Sequence, residues 1–139
     1  MEKMKPLNIQ KYEFPIHALI RRIKQEKVII NAFVGKWSNE QKSQLIEAIL
    51  FNIPIRHIFT TLQLRGTETI VVGNEEISAI QQFMKNEFAL SGVCEEINGK
   101  KFLELPTPLQ AWIEDTKIQI YLIPPSVSDS MIERIIQNN

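Results

Sequence analysis

The sequence predicts one α+β domain built on a mixed β-sheet. Its 139 residues, of which 44% are apolar, suffice for a single core of ordinary domain size. Stretches with helical apolar spacing are interleaved with short β-prone stretches and hairpin signals, a pattern typical of helices packed on a mixed sheet. No internal repeat, low-complexity tract or linker divides the chain. We therefore expect residues 1–139 to form a single domain.

The first predicted element is a surface helix that begins after Pro15. The residues at helical apolar spacing are Ile16, Leu19, Ile20 and Ile23. The opposite face is basic and carries Arg21, Arg22, Lys24 and Lys27. We interpret these cations as a solvated helix face, and a contact with a phosphate or a partner is the alternative. Residues 28–33 follow as a short strand.

The central element is a helix over residues 38–50. Ser38, with Gln41 three residues later, has the form of a capping box. Pro54 forbids continuation of the helix, and the β-prone residues after it begin a strand. The apolar residues that fall on one face at helical spacing are Leu45, Ile46, Ile49, Leu50 and Ile53, and we expect the first four in the core.

The next stretch predicts a hairpin followed by a helix. Strands over residues 58–64 and 69–72 are joined by a glycine-containing turn at residues 65–67. After a break at residues 73–74, helical spacing returns over residues 75–84.

The junction between the second hairpin strand and this helix can hold a phosphate in principle. A glycine turn before a helix leaves unsatisfied backbone amides that point outward, and Gly73 stands at that turn. Glu75 and Glu76 follow in the first turn of the helix, where carboxylates stabilise the helix dipole and repel an anion. We therefore favour helix stabilisation by these two acids over an anion site.

The last third of the chain predicts short strands and two helices. Residues 88–90 and 93–97 are predicted strands, and Asn98-Gly99 is a hairpin signal before a further strand over residues 101–105.

A helix over residues 107–115 comes next, because the proline after Thr107 suits the first turn of a helix. Its predicted buried residues are Leu109, Trp112 and Ile113. Residues 117–123 predict a strand that two prolines end. Ser128 then caps a last helix with apolar residues at helical spacing.

Composition and single residues exclude several classes of protein. The 16 basic and 16 acidic side chains cancel, so no global field attracts nucleic acid or an anionic membrane. No apolar run is long enough for a membrane span, and no signal peptide is visible, so we expect a cytoplasmic protein. Cys94 is the only cysteine and is interpreted as a small apolar residue. His17 and His57 lack further ligands at metal spacing, so we expect no metal site.

Residues 45–55, LIEAILFNIPI, resemble the LIESILxGxPIP signature of the N-terminal domain family of GmrSD-type restriction endonucleases. Residues 16–30 resemble the opening helix and strand of that family, and residues 79–92 resemble the segment after the signature. Residues 95–123 resemble its later hairpin, helix and strand, and residues 130–139 the start of its next helix. The resemblance implies a ParB/sulfiredoxin-like fold.

Two motifs of this family are associated with nucleotide binding and hydrolysis, alongside a nuclease domain that restricts modified phage DNA. The first, aromatic-Gln-Arg, falls here on Asn31, Ala32 and Phe33, none of which matches. The second, DGQQR, falls on residues 72–76, where the glycine alone is retained. Loss of its aspartate removes a possible metal ligand, and a glutamate in place of its arginine repels phosphate. The degenerate ligand-binding positions are Val72, Gly73, Asn74, Glu75 and Glu76.

The lost motifs favour a non-catalytic protein-interaction or regulatory domain, linked to restriction or phage defence, with a protein partner and no cofactor. The alternative is a module that binds a nucleotide or small molecule through amides near Gly73 without hydrolysis. An active NTPase or nuclease is disfavoured, because no nuclease motif or acidic metal cluster is visible. Zero net charge argues against direct DNA binding. Lys36 and Arg56, which could neighbour the former cleft, are interpreted as solvated cations.

Overall fold

The computed structural model describes residues 6–31 and 37–139, and in this part of the chain helices are interleaved with the strands of one mixed sheet. In chain order the elements are β1 (Gln10–Pro15), α1 (Ile16–Lys24), β2 (Val28–Ile29), α2 (Asn39–Leu50), β3 (Ile58–Leu62), β4 (Glu68–Val72), α3 (Asn74–Met84), a 3₁₀ helix (Phe102–Glu104), α4 (Thr107–Asp115), β5 (Lys117–Ile123) and α5 (Asp129–Gln137).

The five strands are ordered β1-β5-β3-β4-β2. The pairs β1–β5 and β3–β4 are antiparallel, and the pairs β3–β5 and β2–β4 are parallel. The α+β class with a mixed sheet is therefore confirmed, and the ParB/sulfiredoxin-like assignment stays a prediction. None of the helices within the described ranges is long and apolar enough to cross a membrane.

Helix α2 follows its sequence signals closely. Ser38 Oγ accepts the backbone N–H of Gln41 at 3.2 Å, and Gln41 Oε1 accepts the N–H of Ser38 at 2.8 Å, so the capping box is present. Ile46 and Ile49 are buried, whereas Leu45 and Leu50 are half-buried at the edge of the core.

Ile53 does not lie on the buried helical face on which its spacing placed it. Asn52 adopts a left-handed φ of 59°, and the N–H of Ile53 returns to the carbonyl of Ala48 at 2.8 Å. This closure ends the helix at Leu50, so Ile53 leaves the helical face and is 56% exposed.

Strand β1 was not expected, although its sequence alternates. Tyr12 and Phe14 alternate with charged residues, and the strand pairs with β5 along its whole length, from Gln10 opposite Leu122 to Pro15 opposite Lys117. Only one side of β1 has a neighbouring strand. An edge strand of this kind tolerates polar residues and a terminal proline.

Strand β2 is shorter than the predicted strand over residues 28–33. It pairs with the first two residues of β4 alone, and the N–H of Asn31 then donates to the side chain of Asn74 at 2.8 Å rather than to a strand. Phe33, the end of the predicted strand, lies outside the described residues.

The predicted strands over residues 88–90, 93–97 and 101–105 are not formed, and turns and the 3₁₀ helix take their place. Side chains of α2 accept hydrogen bonds that a strand would otherwise receive. Ser43 Oγ accepts the N–H of Ser91 at 3.0 Å, and the Glu47 carboxylate accepts that of Cys94 at 2.7 Å. The segment still buries apolar side chains in the core: Leu90, Ile97, Phe102 and Leu105.

A partly buried ion pair lies between α1 and the sheet. Arg22 Nη2 donates to Glu68 Oε2 at 2.5 Å, and Thr60 Oγ1 donates to Glu68 Oε1 at 3.0 Å. The Arg22 guanidinium also lies 5.0 Å from the ring centre of Phe14. The interpretation of Arg22 as a solvated cation is therefore wrong, because this residue balances the charge of a carboxylate in the core.

Candidate functional site

The five positions that the resemblance marks form one junction between a strand and a helix. Val72 ends β4, Gly73 is the residue before α3, and residues 74–76 form the first turn of that helix. Four of the five positions are buried, and Glu75 is half-buried. The strand, glycine turn and helix predicted from the sequence are therefore present, and the predicted hairpin of β3 and β4 leads into them.

Gly73 is required by the packing of this junction. Its φ is +102°, in the left-handed region that favours glycine. A Cβ at this position would lie 2.1 Å from Cδ1 of Ile58 on the neighbouring strand. Conformation and close packing therefore account for the one retained motif residue without any ligand.

The Asn74 side chain joins the two motif regions. Its Oδ1 accepts the N–H of Asn31 at 2.8 Å, and its Nδ2 donates to the carbonyl of Ile70 at 2.9 Å. The structure therefore brings Asn31, at the first position of the aromatic-Gln-Arg motif, against Asn74, at the third position of the DGQQR motif. Ala32, Phe33 and Lys36 lie outside the described residues.

Arg56 pairs with the carboxylate of Glu76. Its Nε donates to Glu76 Oε2, and its Nη2 lies 3.2 Å from Glu76 Oε1, which makes the contact bidentate. Nη2 also lies 3.6 Å from Glu75 Oε2, and Nη1 donates to the carbonyl oxygen of Asn139 at 2.8 Å. The hydrogen bond to Glu76 raises the pKa of Arg56 above its ordinary value, although partial burial opposes the shift. Arg56 is therefore exposed to solvent, as expected, but it is an ion-pair partner rather than a lone cation.

The ion pair changes the charge expected at this junction. Glu75 and Glu76 contribute two negative charges and Arg56 one positive charge, which leaves one negative charge. The guanidinium that could meet a phosphate is already engaged by a carboxylate. As it stands, the arrangement has no free cation from Arg56 for a phosphate, and the half-buried Glu75 repels an anion.

The other titratable candidates have structural partners. The His57 ring packs edge-on against Tyr121 with centroids 4.9 Å apart, and His17 Nε2 lies 3.9 Å from Asp115 Oδ1. Among the described residues, no group of three or more His, Cys, Asp or Glu side chains is arranged to hold a metal ion. His17 lies on α1, and His57 lies in the segment immediately before β3.

The thiol of Cys94 is poorly suited to nucleophilic chemistry. Partial burial raises its pKa, and a hydrogen bond and repulsion from the Glu96 carboxylate raise it further. A raised pKa lowers the thiolate fraction near neutral pH. The structure therefore agrees with a non-reactive cysteine at this position.

Sequence reasoning missed an exposed apolar surface near the end of α2. Phe51 is 60% exposed, Ile53 56% and Trp112 46%. The prediction that Trp112 is buried is wrong, because Leu109 and Ile113 define the inward face of α4 and Trp112 lies at its edge. The indole Nε1 donates to the carbonyl of Ile49 at 2.9 Å, which holds the ring against the end of α2. In the sequence, Leu109, Trp112 and Ile113 all fit the spacing of one helical face, so the spacing gives little sign that Trp112 lies at the edge of that face.

Comparison with known proteins adds no further constraint: no family model, curated protein or solved structure matches this chain. The structure is that of an α+β domain. At its junction of residues 72–76, Glu76 pairs with Arg56, and the Asn74 side chain bonds to the backbone of Asn31 and Ile70. The likeness to the GmrSD N-terminal family rests on the residues quoted above.

Proposed function

We propose that this protein is a non-catalytic protein-interaction or regulatory domain. The observation that carries the proposal is the pairing of Arg56 with the buried carboxylate of Glu76 at the position where family members bind nucleotide. Phosphoryl transfer depends on positioned cations and metal ions that neutralise phosphate charge. Val72 offers no metal ligand, and Arg56 is held by an acid.

Recruiting Arg56 to a phosphate would carry a free-energy cost. Exposed ion pairs contribute about 0–1 kcal/mol, whereas breaking a buried pair costs about 3–5 kcal/mol. The Glu76 side chain is 4% exposed and that of Arg56 is 44% exposed. We therefore place the cost at about 2 kcal/mol, which lowers the affinity of a competing phosphate by roughly 30-fold.

The exposed side chains of Phe51, Ile53 and Trp112 support the interaction role. Large aromatic side chains at a surface are enriched among the residues that dominate the energy of protein interfaces. Several large apolar side chains exposed near the end of one helix are also a common mark of an interaction site. The association with restriction or phage defence rests on the family resemblance, and plating efficiency of phages on deletion and wild-type strains tests it.

A nucleotide or small-molecule binding module without hydrolysis is the second candidate. The observation that favours it is that α3 begins at Gly73 without a side-chain cap, which leaves backbone amides of its first turn without that partner. Glu75 in the same turn opposes this reading for an anionic ligand.

Site-specific photocrosslinking in the native host tests the interaction role. A photoreactive amino acid replaces Phe51 in one variant and Gln44, an exposed polar residue of the same helix, in the control. We expect one discrete protein adduct at position 51 and none at position 44. The protein identified must then form a complex of fixed stoichiometry with the purified, unmodified chain. Absence of an adduct at positions 51, 53 and 112 would contradict the proposal.

A further inference from the structure

The turn that ends α2 and the outer face of α4 form a shallow apolar groove. It contains two depressions, one lined by Phe51 and the other by the next residue in the chain, Asn52. One, of about 300 Å³, is lined by Leu50, Phe51, Cys94, Glu96, Ile97 and Leu109. The other, of about 580 Å³, is lined by Asn52, Pro108, Ala111, Trp112, Asp115, Thr116 and Lys117.

The aromatic wall of the groove is held in place before any partner binds. The single polar atom of the Trp112 side chain is satisfied internally by the carbonyl of Ile49. The exposed part of the ring is therefore apolar and has little rotational freedom left to lose. Fixed aromatic side chains reduce the entropy cost of association, which is the property of an anchor in an interface.

The charges around the groove are unevenly distributed. Glu96 lines the smaller depression, and Glu95 beside it is exposed. The hydrogen bond from its own backbone N–H, followed by the one from the Cys94 thiol, lowers the pKa of Glu96. At the other end, Asp115 and Lys117 line the larger depression together and cancel. The end near Phe51 therefore favours a positively charged partner.

We propose that this groove binds an amphipathic helix of a partner protein, with apolar side chains against Phe51 and Trp112 and basic residues against Glu95 and Glu96. This inference rests on the proposed interaction function and gives the chemistry of its partner. Helices bind such grooves through apolar residues spaced at i, i+3, i+4 and i+7. Trp112 is bonded to Ile49, two residues before Phe51, so one apolar helical face can contact both exposed aromatic residues at this end of α2.

Two synthetic helical peptides test the charge preference. Both have leucines at i, i+3, i+4 and i+7, and their ends carry lysines in one peptide and glutamates in the other. Anisotropy of the labelled peptides measures affinity for the full chain at low and high salt. We expect the lysine peptide to bind about tenfold more tightly at low salt and the difference to shrink at high salt. The variant Glu95→Lys with Glu96→Lys should reverse the order.

Two further measurements locate the peptide on the chain. Because Cys94 lines the smaller depression and is the only cysteine, a bound peptide should slow its alkylation by N-ethylmaleimide. Phe51→Ala should weaken binding at least about tenfold. Leu64→Ala is the matched control, since Leu64 is fully exposed in the β3–β4 turn, and it should leave the affinity unchanged. Thermal unfolding verifies that each variant is folded.

Equal affinities for the two peptides, no binding of either, unchanged alkylation of Cys94, or full affinity in Phe51→Ala would each overturn this inference. The proposed function is tested separately by the crosslink at position 51. A crosslinked partner whose contacting segment is acidic or non-helical would retain the interaction function and refute the basic helix. Absence of any crosslink would refute the interaction function itself.

Discussion

Arg56→Gln removes the guanidinium that pairs with the buried carboxylate of Glu76 and keeps a polar side chain. The carboxylate is then left without its bidentate partner, at the cost of about 2 kcal/mol argued above. Unfolding entropy of about 2.1 cal/mol/K per residue gives about 0.29 kcal/mol/K for 139 residues. The variant should therefore melt about 7 °C below the wild-type protein.

Circular dichroism melts of a double-mutant cycle separate the ion pair from other effects. Once Arg56 is replaced, Glu76→Gln removes the unpaired charge, so the double variant should be more stable than the sum of the single changes predicts. We expect a coupling of at least about 1 kcal/mol. Arg65→Gln, at an exposed arginine in the β3–β4 turn, is the control. If Arg56→Gln melts no lower than this control and the coupling is near zero, the ion pair does not hold the junction.

Three further predictions concern other parts of the molecule. Arg22→Met leaves the buried carboxylate of Glu68 without its partly exposed cation and should lower the free energy of unfolding by about 2–4 kcal/mol in urea titrations; a loss below about 1 kcal/mol would contradict it. Gly73→Ala forces a left-handed φ on a residue whose Cβ has no space, and should cost at least about 2 kcal/mol by the same measurement; wild-type stability would refute the packing role. Cys94 should react with iodoacetamide with a pH midpoint above that of a free thiol, because burial and Glu96 raise its pKa, and Glu96→Gln should lower the midpoint; a midpoint below that of a free thiol would be inconsistent.

Local signals predicted much of the fold. The capping box at Ser38, the glycine turn between β3 and β4, and the proline-bounded strand β5 each depend on residues close in sequence, and each is formed as expected. The prediction failed where side chains from distant elements replaced strand partners. Ser43 and Glu47 on α2 satisfy the segment around residues 91–94, and nothing within that segment indicates this.

The local structure around residues 72–76 was predictable from the sequence, but the side chains that contact it were not. The resemblance located residues 72–76, and the structure forms the expected junction there. Arg56 lies 20 residues before Glu76, and its segment carries no periodic pattern that links the two. The two residues meet only because of the arrangement of the strands in the sheet, which the local sequence around either residue does not indicate. The exposure of Trp112 was missed for a different reason, because the helical spacing of Leu109, Trp112 and Ile113 does not show which of the three lies at the edge of the buried face of α4.

The structure also changes how the family motif can be restored. Glu75→Gln with Glu76→Arg restores the Gln-Arg pair of the family motif. Because the new arginine would lie in a buried position beside the guanidinium of Arg56, this double change should destabilise the fold rather than recover binding. Adding Arg56→Glu exchanges the two partners and returns an arginine to position 76. The triple variant is therefore the appropriate test of whether charge alone prevents phosphate binding, and its melting temperature should exceed that of the double variant.

The most direct test of the central claim is the thermal stability of the wild-type protein with ATP, GTP and their diphosphates, with and without magnesium. A ligand at a hundred times its dissociation constant would stabilise the fold by about 2.7 kcal/mol, or about 9 °C for a chain of this length. We predict no shift and no release of phosphate above that of a core-disrupted variant. A clear shift with any of these nucleotides, or phosphate release proportional to protein concentration, would contradict the assignment of a non-catalytic interaction domain.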